Sequence, residues 1–357
     1  MNFASPKLRA LDQPAVNRLR MKHFYCGLIT TILVAMLATQ TTIVQSKEVA
    51  VGAYSIPGSP GERLFLEYAK RIEKRSGGQL EVNLLIHGQG GSEEQLLPSL
   101  RRGRIHIASI STMVISSLIP EIGMLGAPYL FDSLDEFDHT LNSNLLSLFQ
   151  EFLSEKNLTI LRWMELGGQT LYGKKPLLWP KDAKGYRIRA TQDPAARFFL
   201  EAVEADVIYV ASPDAIPALQ TGLLDGGMTP TIAYANTGLV SEAPHLTLTH
   251  HFFVGTFLLA NRIWLESLST DLRYIVEGSF ATNRVISQTI RQMVADSFIR
   301  AEDEGFTAHR LNSVQKKAWK MATGHTHAML IATIGGRAQE VYNAMKIGKR
   351  TYQETRK

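Results

Sequence analysis

The chain has 357 residues, 45% apolar and 20% charged, a composition typical of a globular protein large enough for two lobes. Its formal net charge of +5 is concentrated at the start, where residues 1–46 carry five basic residues and one acidic residue. Of the totals of 38 and 33, the remainder keeps 33 basic and 32 acidic residues, so we predict no nucleic-acid partner. The single cysteine, Cys26, lies within the first 46 residues, so the remainder needs no disulfide and offers no thiol chemistry.

The first 46 residues follow the order of a secretory signal peptide. Arg18, Arg20 and Lys22 precede the apolar run 24–38, and a small-residue cleavage site ends at Ser46. That run is shorter than the roughly 20 apolar residues of a membrane span, and an uncleaved anchor is the alternative. We therefore expect export, with a mature protein that is not itself inserted in the membrane.

Strand and helix patterns alternate after the signal peptide. We predict strands over 48–54, 80–86 and 104–110, a helix over 63–74, and a second helix that begins after Ser92. Such alternation predicts a mostly parallel sheet.

The segment 131–153 has a helical pattern, and 158–164 has the pattern of a strand. The stretch 173–184 is rich in Lys and Pro and resembles a connection that crosses between lobes. After the centre of the chain, 246–260 is β-like, and long helical patterns follow over 273–310 and 313–349.

The centre of the chain, residues 185–230, has a β–α–β pattern. Predicted strands over 187–190 and 206–210 flank a helix over 195–205, and a short helix over 213–221 ends at Gly222. Charged and hydroxyl residues stand at the strand ends, where ligands of open α/β sheets usually bind.

Two motifs of this central unit resemble the substrate-binding proteins of TRAP transporters (tripartite ATP-independent periplasmic transporters, DctP-like). Gly185-Tyr-Arg-Ile-Arg-Ala190 fits the family's Gly-x-(Lys/Arg)-x-Arg strand, and Ala218-Leu-Gln-Thr-Gly-Leu-Leu-Asp-Gly226 fits its Ala-Leu-Gln-x-Gly-x-x-Asp-Gly segment throughout. Weaker likeness at Gly90-Gly91 with Glu93, and at residues 127–131, extends the resemblance over most of the mature chain.

The resemblance implies an α/β protein with the two-lobed periplasmic solute-binding protein fold, a ligand cleft between the lobes and a long hinge-spanning helix. It places lobe one at 47–166 plus 255–294 and lobe two at 167–254 plus 295–357. It also implies a periplasmic solute receptor that binds a small organic acid (a carboxylate), closes around it and delivers it to TRAP-type membrane permease subunits. No cofactor is expected.

Arg189 is the main ligand-binding residue that the resemblance implies, because the second basic residue of this strand pairs with the ligand carboxylate in the family. A guanidinium group is planar, permanently charged and able to hold a carboxylate with two hydrogen bonds. From the residue alone, the alternative is a structural ion pair within the same lobe. For Arg187 we expect the other face of the strand and a solvated or structural charge.

At two positions, this sequence differs from the residues that contact the ligand in relatives. Thr229 stands where many relatives carry an Asn that contacts the ligand, and Gln169 stands where sialic-acid binders carry a further Arg. The pocket would then hold one strong anion clamp, which favours a small monocarboxylate or a less polar acid over sialic acid. Further lining positions, for which ordinary capping or packing is the alternative, are Ser212, Ser111 and Tyr54.

The catalytic and metal-binding motifs that this sequence suggests are incomplete or poorly spaced. A Gly88-x-Gly90 turn resembles a phosphate loop, but Glu93 replaces the third glycine and would repel phosphate. The pairs His250-His251 and His325-x-His327 have poor spacing for a shared metal ion. We therefore expect no enzyme and no metal site. Two alternatives stay open, a secreted α/β enzyme acting on small organic acids and a ligand-sensing partner of a membrane receptor.

Overall fold

The computed structural model describes Met1 and residues 46–55, 57, 59–299 and 305–356. The predicted signal peptide therefore lies outside the described residues, apart from its first and last positions. Residues Ser46–Lys357 form one unit by themselves. Within the described ranges, no helix is long and apolar enough to cross a membrane.

The described strands join in one continuous mixed sheet. They are β1 (Lys47–Gly52), β2 (Leu80–Leu85), β3 (Ile107–Ser111), β4 (Leu158–Gly173), β5 (Arg187–Ala190), β6 (Asp206–Tyr209), β7 (Gly226–Pro230), β8 (His245–Leu248), β9 (Phe253–Asn261) and β10 (Thr307–Arg310).

Helices cover both faces of this sheet. Short 3₁₀ turns cover Pro120–Gly126, Pro180–Ala183 and Ser212–Asp214, and a π-helical turn, Leu141–Leu145, lies between α4 and α5. The described α-helices are α1 (Pro60–Arg75), α2 (Glu93–Arg101), α3 (Thr112–Ile115), α4 (Leu134–Thr140), α5 (Leu146–Ser154), α6 (Pro194–Glu201), α7 (Ala215–Gln220), α8 (Thr231–Asn236), α9 (Leu239–Glu242), α10 (Arg262–Glu266), α11 (Thr270–Ser279), α12 (Asn283–Ile299), α13 (Ser313–Thr323), α14 (Thr326–Ile334) and α15 (Ala338–Glu354).

Strand β4 divides the sheet into two halves. Its first part, up to Gly168, pairs with β9 in the order β2-β1-β3-β9-β4. From Gln169 onward it pairs instead with β7 and β8, so the second half runs β10-β8-β4-β7-β5-β6. The chain thus forms two α/β lobes that share one long strand.

The predicted parallel sheet is correct for the outer strands and wrong for the strands that cross between the lobes. β1 is parallel to β2 and β3, and β5 is parallel to β6 and β7. β9 is antiparallel to β3 and β4, and β4 is antiparallel to β7 and β8. A long strand that continues from one lobe into the other needs no crossover helix, so parallel pairing is not imposed on it.

The central β–α–β unit forms close to its predicted bounds. Strand β5 has the predicted ends, and β6 is one residue shorter than predicted. Helix α6 ends at Glu201 because Glu204 takes a positive φ of 58°, and its carbonyl accepts a hydrogen bond from the Gly185 N–H at 2.8 Å. This turn leads directly into β6.

The long helix predicted over 273–310 is wrong, because the chain breaks twice. Phe280 is extended after α11, and its buried ring packs edge-on against Phe65 and Tyr68 at 5.4 and 5.0 Å. Residues 307–310 then form strand β10 rather than helix. The predicted helix over 313–349 is likewise divided into three, with a break at Gly335 and Gly336, whose φ angles are 64° and 48°.

Helix α12 lies against both halves of the sheet. Its 17 residues span about 25 Å, and its buried residues Ile286, Ile290 and Met293 share one apolar cluster with Phe65 of α1 and Ile232 of α8. It occupies the place of the hinge-spanning helix expected from the sequence.

Helix α15 closes the described chain against the first half. Val341 and Met345 are fully buried in a cluster with Phe137 and Leu141. The lobe boundaries expected from the sequence, which assign α15 to lobe two, stay a prediction.

Candidate functional site

A cavity of about 290 Å³ lies between the two halves of the sheet. Its walls come from the ends of β1 and β3 on one side, from β5 and β7 on the other, and from β4, β9 and α12 across the gap. This volume is near the lower end of the range, about 300–1,000 Å³, typical of small-molecule sites.

All the ligand-binding residues expected from the sequence line this one cavity. They are Tyr54, Ser111, Gln169, Arg189, Ser212 and Thr229. The structure therefore brings together positions that are up to 175 residues apart in the chain. Their role in holding a ligand stays a prediction.

Arg189 is buried, with 5% of its surface exposed, and protein oxygens fix its guanidinium group. Nε donates to the Val210 carbonyl at 2.8 Å, Nη1 to the Met228 carbonyl at 3.4 Å and Nη2 to Ser212 Oγ at 2.9 Å. A guanidinium has five N–H donors, so one N–H on each Nη atom has no partner among the described residues. Among the described residues, Arg189 has no carboxylate within 4.0 Å, which argues against the alternative of a structural ion pair.

Arg187, two residues earlier, is exposed at the start of β5 and makes a surface ion pair. Its Nε and Nη2 donate to the two oxygens of Asp225 at 2.8 and 2.6 Å. The hydrogen bond from Arg187 lowers the pKa of the Asp225 carboxyl below its ordinary value. Arg187 is thus a structural charge, as expected, but the expected reason is wrong, because residues two apart share one face of a strand. Arg187 differs from Arg189 because it stands at the exposed start of β5, beside Asp225.

Gln169 and Thr229 lie on the neighbouring strands β4 and β7, where their polar groups face the cavity. Gln169 is 1% exposed, its Oε1 has no hydrogen-bond partner in the described part of the chain, and its Nε2 has only Met113 Sδ, at 3.9 Å. The Thr229 carbonyl accepts from Thr170 Oγ1 at 2.8 Å. A buried amide without partners costs about 1–3 kcal/mol, which a bound ligand can offset.

The three remaining residues have different local roles. Ser212 supports Arg189, as described above, whereas Ser111 caps α3 by accepting from the Val114 N–H at 3.3 Å. The capping alternative given for Ser111 is therefore present in the structure. Tyr54 is 45% exposed and forms part of the cavity rim.

Glu93, in the first turn of α2, lines the cavity although it was not among the expected ligand residues. Its Oε2 accepts from the Ser111 N–H at 3.0 Å. Burial raises the pKa of the Glu93 carboxyl, and the positive charge of Arg189 opposes that rise. The sequence shows Glu93 as part of the weaker family likeness and as a charge that would repel phosphate, but not as a ligand residue, because the contact with Ser111 is not local.

Comparison with protein families places the chain among known proteins. The model of the DctP family, described as bacterial extracellular solute-binding protein, family 7, matches residues 52–333. This match covers well over half of the sequence, so the chain belongs to that family.

Individual relatives share a quarter or less of their aligned residues with this chain. The ectoine-binding periplasmic protein TeaA of Halomonas elongata is 25% identical, over 76% of this chain and 82% of its own length. The C4-dicarboxylate-binding periplasmic protein DctP of Rhodobacter capsulatus is 21% identical, over 78% of this chain and 85% of its own length. The sugar acid binding protein DctPAm of Advenella mimigardefordensis, crystallised with galactonate, has a TM-score of 0.80 at 24% identity, covering 85% of this chain and 99% of its own.

These comparisons confirm the resemblance to TRAP substrate-binding proteins and the two-lobed α/β fold. They also confirm the solute-receptor function and the expectation that the chain is not an enzyme, because the family consists of solute-binding proteins. The family includes periplasmic proteins.

Proposed function

We propose that this protein is the periplasmic receptor of a TRAP-type transporter and that it binds a small organic acid through Arg189. The observation that carries the proposal is a buried guanidinium in the inter-lobe cavity, held by three protein oxygens and left with two free N–H donors. Relatives crystallised with galactonate and succinate are in keeping with an acid as the ligand.

The geometry of Arg189 suits a carboxylate. The free N–H groups belong to different Nη atoms, so both oxygens of one carboxylate can be held at once. Because its other donors are already bound to protein oxygens, the guanidinium loses little freedom when the ligand arrives. A charged hydrogen bond of this kind contributes about 1.5–3 kcal/mol.

The other lining residues would complete the site. Gln169 and Thr229 offer an amide and a hydroxyl beside Arg189, while Ser212 holds the guanidinium in place. Tyr54 and Ser111 would contact the ligand from the first half of the sheet. No cofactor is part of this proposal.

Ligand binding would favour a closed arrangement of the lobes that membrane permease subunits recognise. We take lobe one as 47–166 plus 255–294 and lobe two as 167–254 plus 295–357. The change of partners of β4 after Gly168 supports a boundary near residue 166. Because Arg189 and Ser111 come from different lobes, a ligand that contacts both stabilises the closed state and shifts the population toward it.

A thermal-shift screen over organic acids tests this function. A ligand present at 100 times its Kd should raise the free energy of unfolding by about 2.7 kcal/mol. The same acid should be recovered unchanged after incubation with the protein. If no acid raises the melting temperature, the proposal that the protein binds a small organic acid is contradicted. Steady release of a product that depends on cavity residues would instead support the secreted enzyme.

A further inference from the structure

The cavity walls are electrically asymmetric. In the described part of the lining, Arg189 is the one basic side chain, whereas Glu93 and Glu94 are acidic. If Arg189 takes the ligand carboxylate, as proposed above, no second cation remains in the lining for another carboxylate. The second charge of a dicarboxylate would instead face the Glu93 side chain.

The Glu93 carboxyl is bonded to Ser111 and forms part of the cavity wall. Its Oε2 accepts from the Ser111 N–H at 3.0 Å, and the Ser111 side chain also hydrogen-bonds to the carboxyl. Two carboxylate oxygens offer about four acceptor sites, so acceptor capacity remains for a ligand. An ionised carboxylate only accepts hydrogen bonds. Gln169 adds a second acceptor, because its buried Oε1 has no partner in the described part of the chain. The Glu93 carboxyl and the Gln169 amide oxygen therefore call for donors on the ligand, whereas the unpaired Ser55 hydroxyl of the lining can donate or accept.

The two charged residues stand on opposite halves of the sheet. Glu93 opens α2 and is fixed to the end of β3, whereas Arg189 lies on β5. The wall of the same cavity includes apolar side chains from several elements: Phe65, Met113, Val254, Ile290 and Met293. A ligand that reaches from Arg189 to Glu93 thus passes along an apolar surface.

We infer that the ligand is a monocarboxylate with an apolar body and a hydrogen-bond donor, a hydroxyl or an ammonium group, and that Glu93 selects it. Glu93 accepts a hydrogen bond from the donor group and repels a second carboxylate. It is therefore the residue that excludes dicarboxylates from this receptor. This inference rests on the proposed role of Arg189 in holding the carboxylate.

Four five-carbon acids of equal chain length test the inference: pentanoate, 5-hydroxypentanoate, 5-aminopentanoate and pentanedioate. Calorimetric titration of the wild-type protein should give at least fivefold tighter binding for the hydroxy or the amino acid than for pentanoate. Pentanedioate should bind at least tenfold more weakly than pentanoate. The tighter of the two donor-bearing acids identifies the donor group.

Glu93→Gln tests the assignment to this residue. The variant keeps an acceptor of the same shape without the charge, so pentanedioate should bind at least tenfold more tightly than it does to wild type. If the donor is ammonium, 5-aminopentanoate should lose at least tenfold, whereas a hydroxyl donor should lose less than threefold. The matched control is Glu67→Gln on the surface of α1, which should leave all four affinities unchanged.

The outcomes separate this inference from the proposed function. If none of these four acids binds, the inference is overturned, while the proposed function is tested by the wider screen of organic acids. If binding does not depend on Arg189, both are overturned. If pentanoate and pentanedioate bind equally and both require Arg189, the receptor function stands and the inference is overturned. The same holds if Glu93→Gln leaves the ratio of these two affinities within twofold. The wild-type ratios test the inference even if a variant fails to fold.

Discussion

Two arginines on one short strand illustrate how residue position decides role. Arg187 and Arg189 lie two residues apart on β5, yet Arg187 is exposed and paired with Asp225, whereas Arg189 is buried without a carboxylate partner in the described chain. A buried guanidinium without a counter-ion is costly, and proteins keep such a group where a ligand supplies the missing charge. The contrast points to Arg189 as the functional residue of the pair.

His251 is a second buried residue, and its burial should make the stability of the protein depend on pH. It is fully buried, stacks on Phe199 at 3.9 Å and contacts Thr249 Oγ1 through Nδ1 at 2.7 Å. Burial, with a further contribution from His250, lowers the pKa of His251 well below its ordinary value.

We predict that acid destabilises the protein partly through His251. Below about pH 6.5, the unfolded chain binds a proton at this position while the folded chain does not, so the free energy of unfolding falls as the pH falls. Urea denaturation at pH 7.5, 6.0 and 5.0 should show this decline in the wild type. His251→Gln should show a shallower decline, because its side chain does not titrate. Equal slopes for the two proteins would contradict the assignment.

At the scale of elements, the sequence predicts local units well and their interruptions poorly. Strand β5 and the other parts of the central β–α–β unit form near their predicted bounds, because turn residues and apolar patterns are local signals. The long helical patterns are interrupted where tertiary contacts override them, as at Phe280, whose ring fills a space beside α1. Periodicity alone does not reveal such a contact.

The candidate site, too, could be predicted from the sequence only in part. Strand-end position and the family motifs lead to side chains, such as Arg189 and Thr229, that the structure brings to one cavity. Glu93 is missing from that prediction because its orientation depends on the N–H of Ser111, 18 residues away on β3. The apolar wall from α12 is missing for a similar reason, since a helix face seen in a sequence does not say what it covers.

Helix α12 is held to the crossing strand by an ion pair that we expect to matter for stability. Arg291 donates from Nε and Nη2 to the buried Glu165 of β4 at 2.7 and 3.1 Å, and from Nη1 to Asp135 at 2.7 Å. Burial raises the pKa of the Glu165 carboxyl, and the hydrogen bonds from Arg291 oppose this rise. The pair joins the helix to β4 just before that strand changes sheet partners.

Replacing Arg291 should destabilise the protein measurably. Arg291→Ala leaves a buried carboxyl group unpaired, and we expect a loss of about 1–3 kcal/mol in the free energy of unfolding. The value is below that of a fully buried pair because the Arg291 side chain is 44% exposed. The control is Arg284→Ala, an exposed position on the same helix, for which about 0.5 kcal/mol or less is expected. Urea midpoints that agree for both variants would contradict the account.

At the scale of the whole molecule, the two halves are linked by continuous structure rather than by a flexible linker. β4 and β9 lie between the half-sheets, and α12 packs on both. The cavity lies among these linking elements, so a change in the angle between the halves changes the distance between its two walls. Ligand binding and lobe closure are coupled in such an arrangement.

Export of the protein is a prediction about the whole chain. The order of basic, apolar and polar residues over 18–46 predicts cleavage after Ser46. Amino-terminal sequencing of the protein from a periplasmic fraction should therefore begin near Lys47. A full-length chain found in the cytosol would show that the amino terminus does not act as a signal peptide.

The central claim is that Arg189 holds a ligand carboxylate. Arg189→Ala would leave the carboxylate unpaired in a largely closed cavity, at a cost of about 2–5 kcal/mol. Since each 1.4 kcal/mol is a tenfold change, binding should weaken by roughly thirty-fold to several thousand-fold. Arg189→Lys should restore part of the affinity, because an ammonium group cannot form both hydrogen bonds in one plane.

Calorimetric titration of wild type, Arg189→Ala and Arg187→Ala with the acid found by the screen tests this claim most directly. Arg187→Ala removes an exposed ion pair on the same strand, outside the cavity lining, so its affinity should match that of wild type. Thermal unfolding of each unliganded variant shows that it is folded. We predict a large loss of affinity for Arg189→Ala alone. A folded Arg189→Ala protein that binds within threefold of wild type would contradict it.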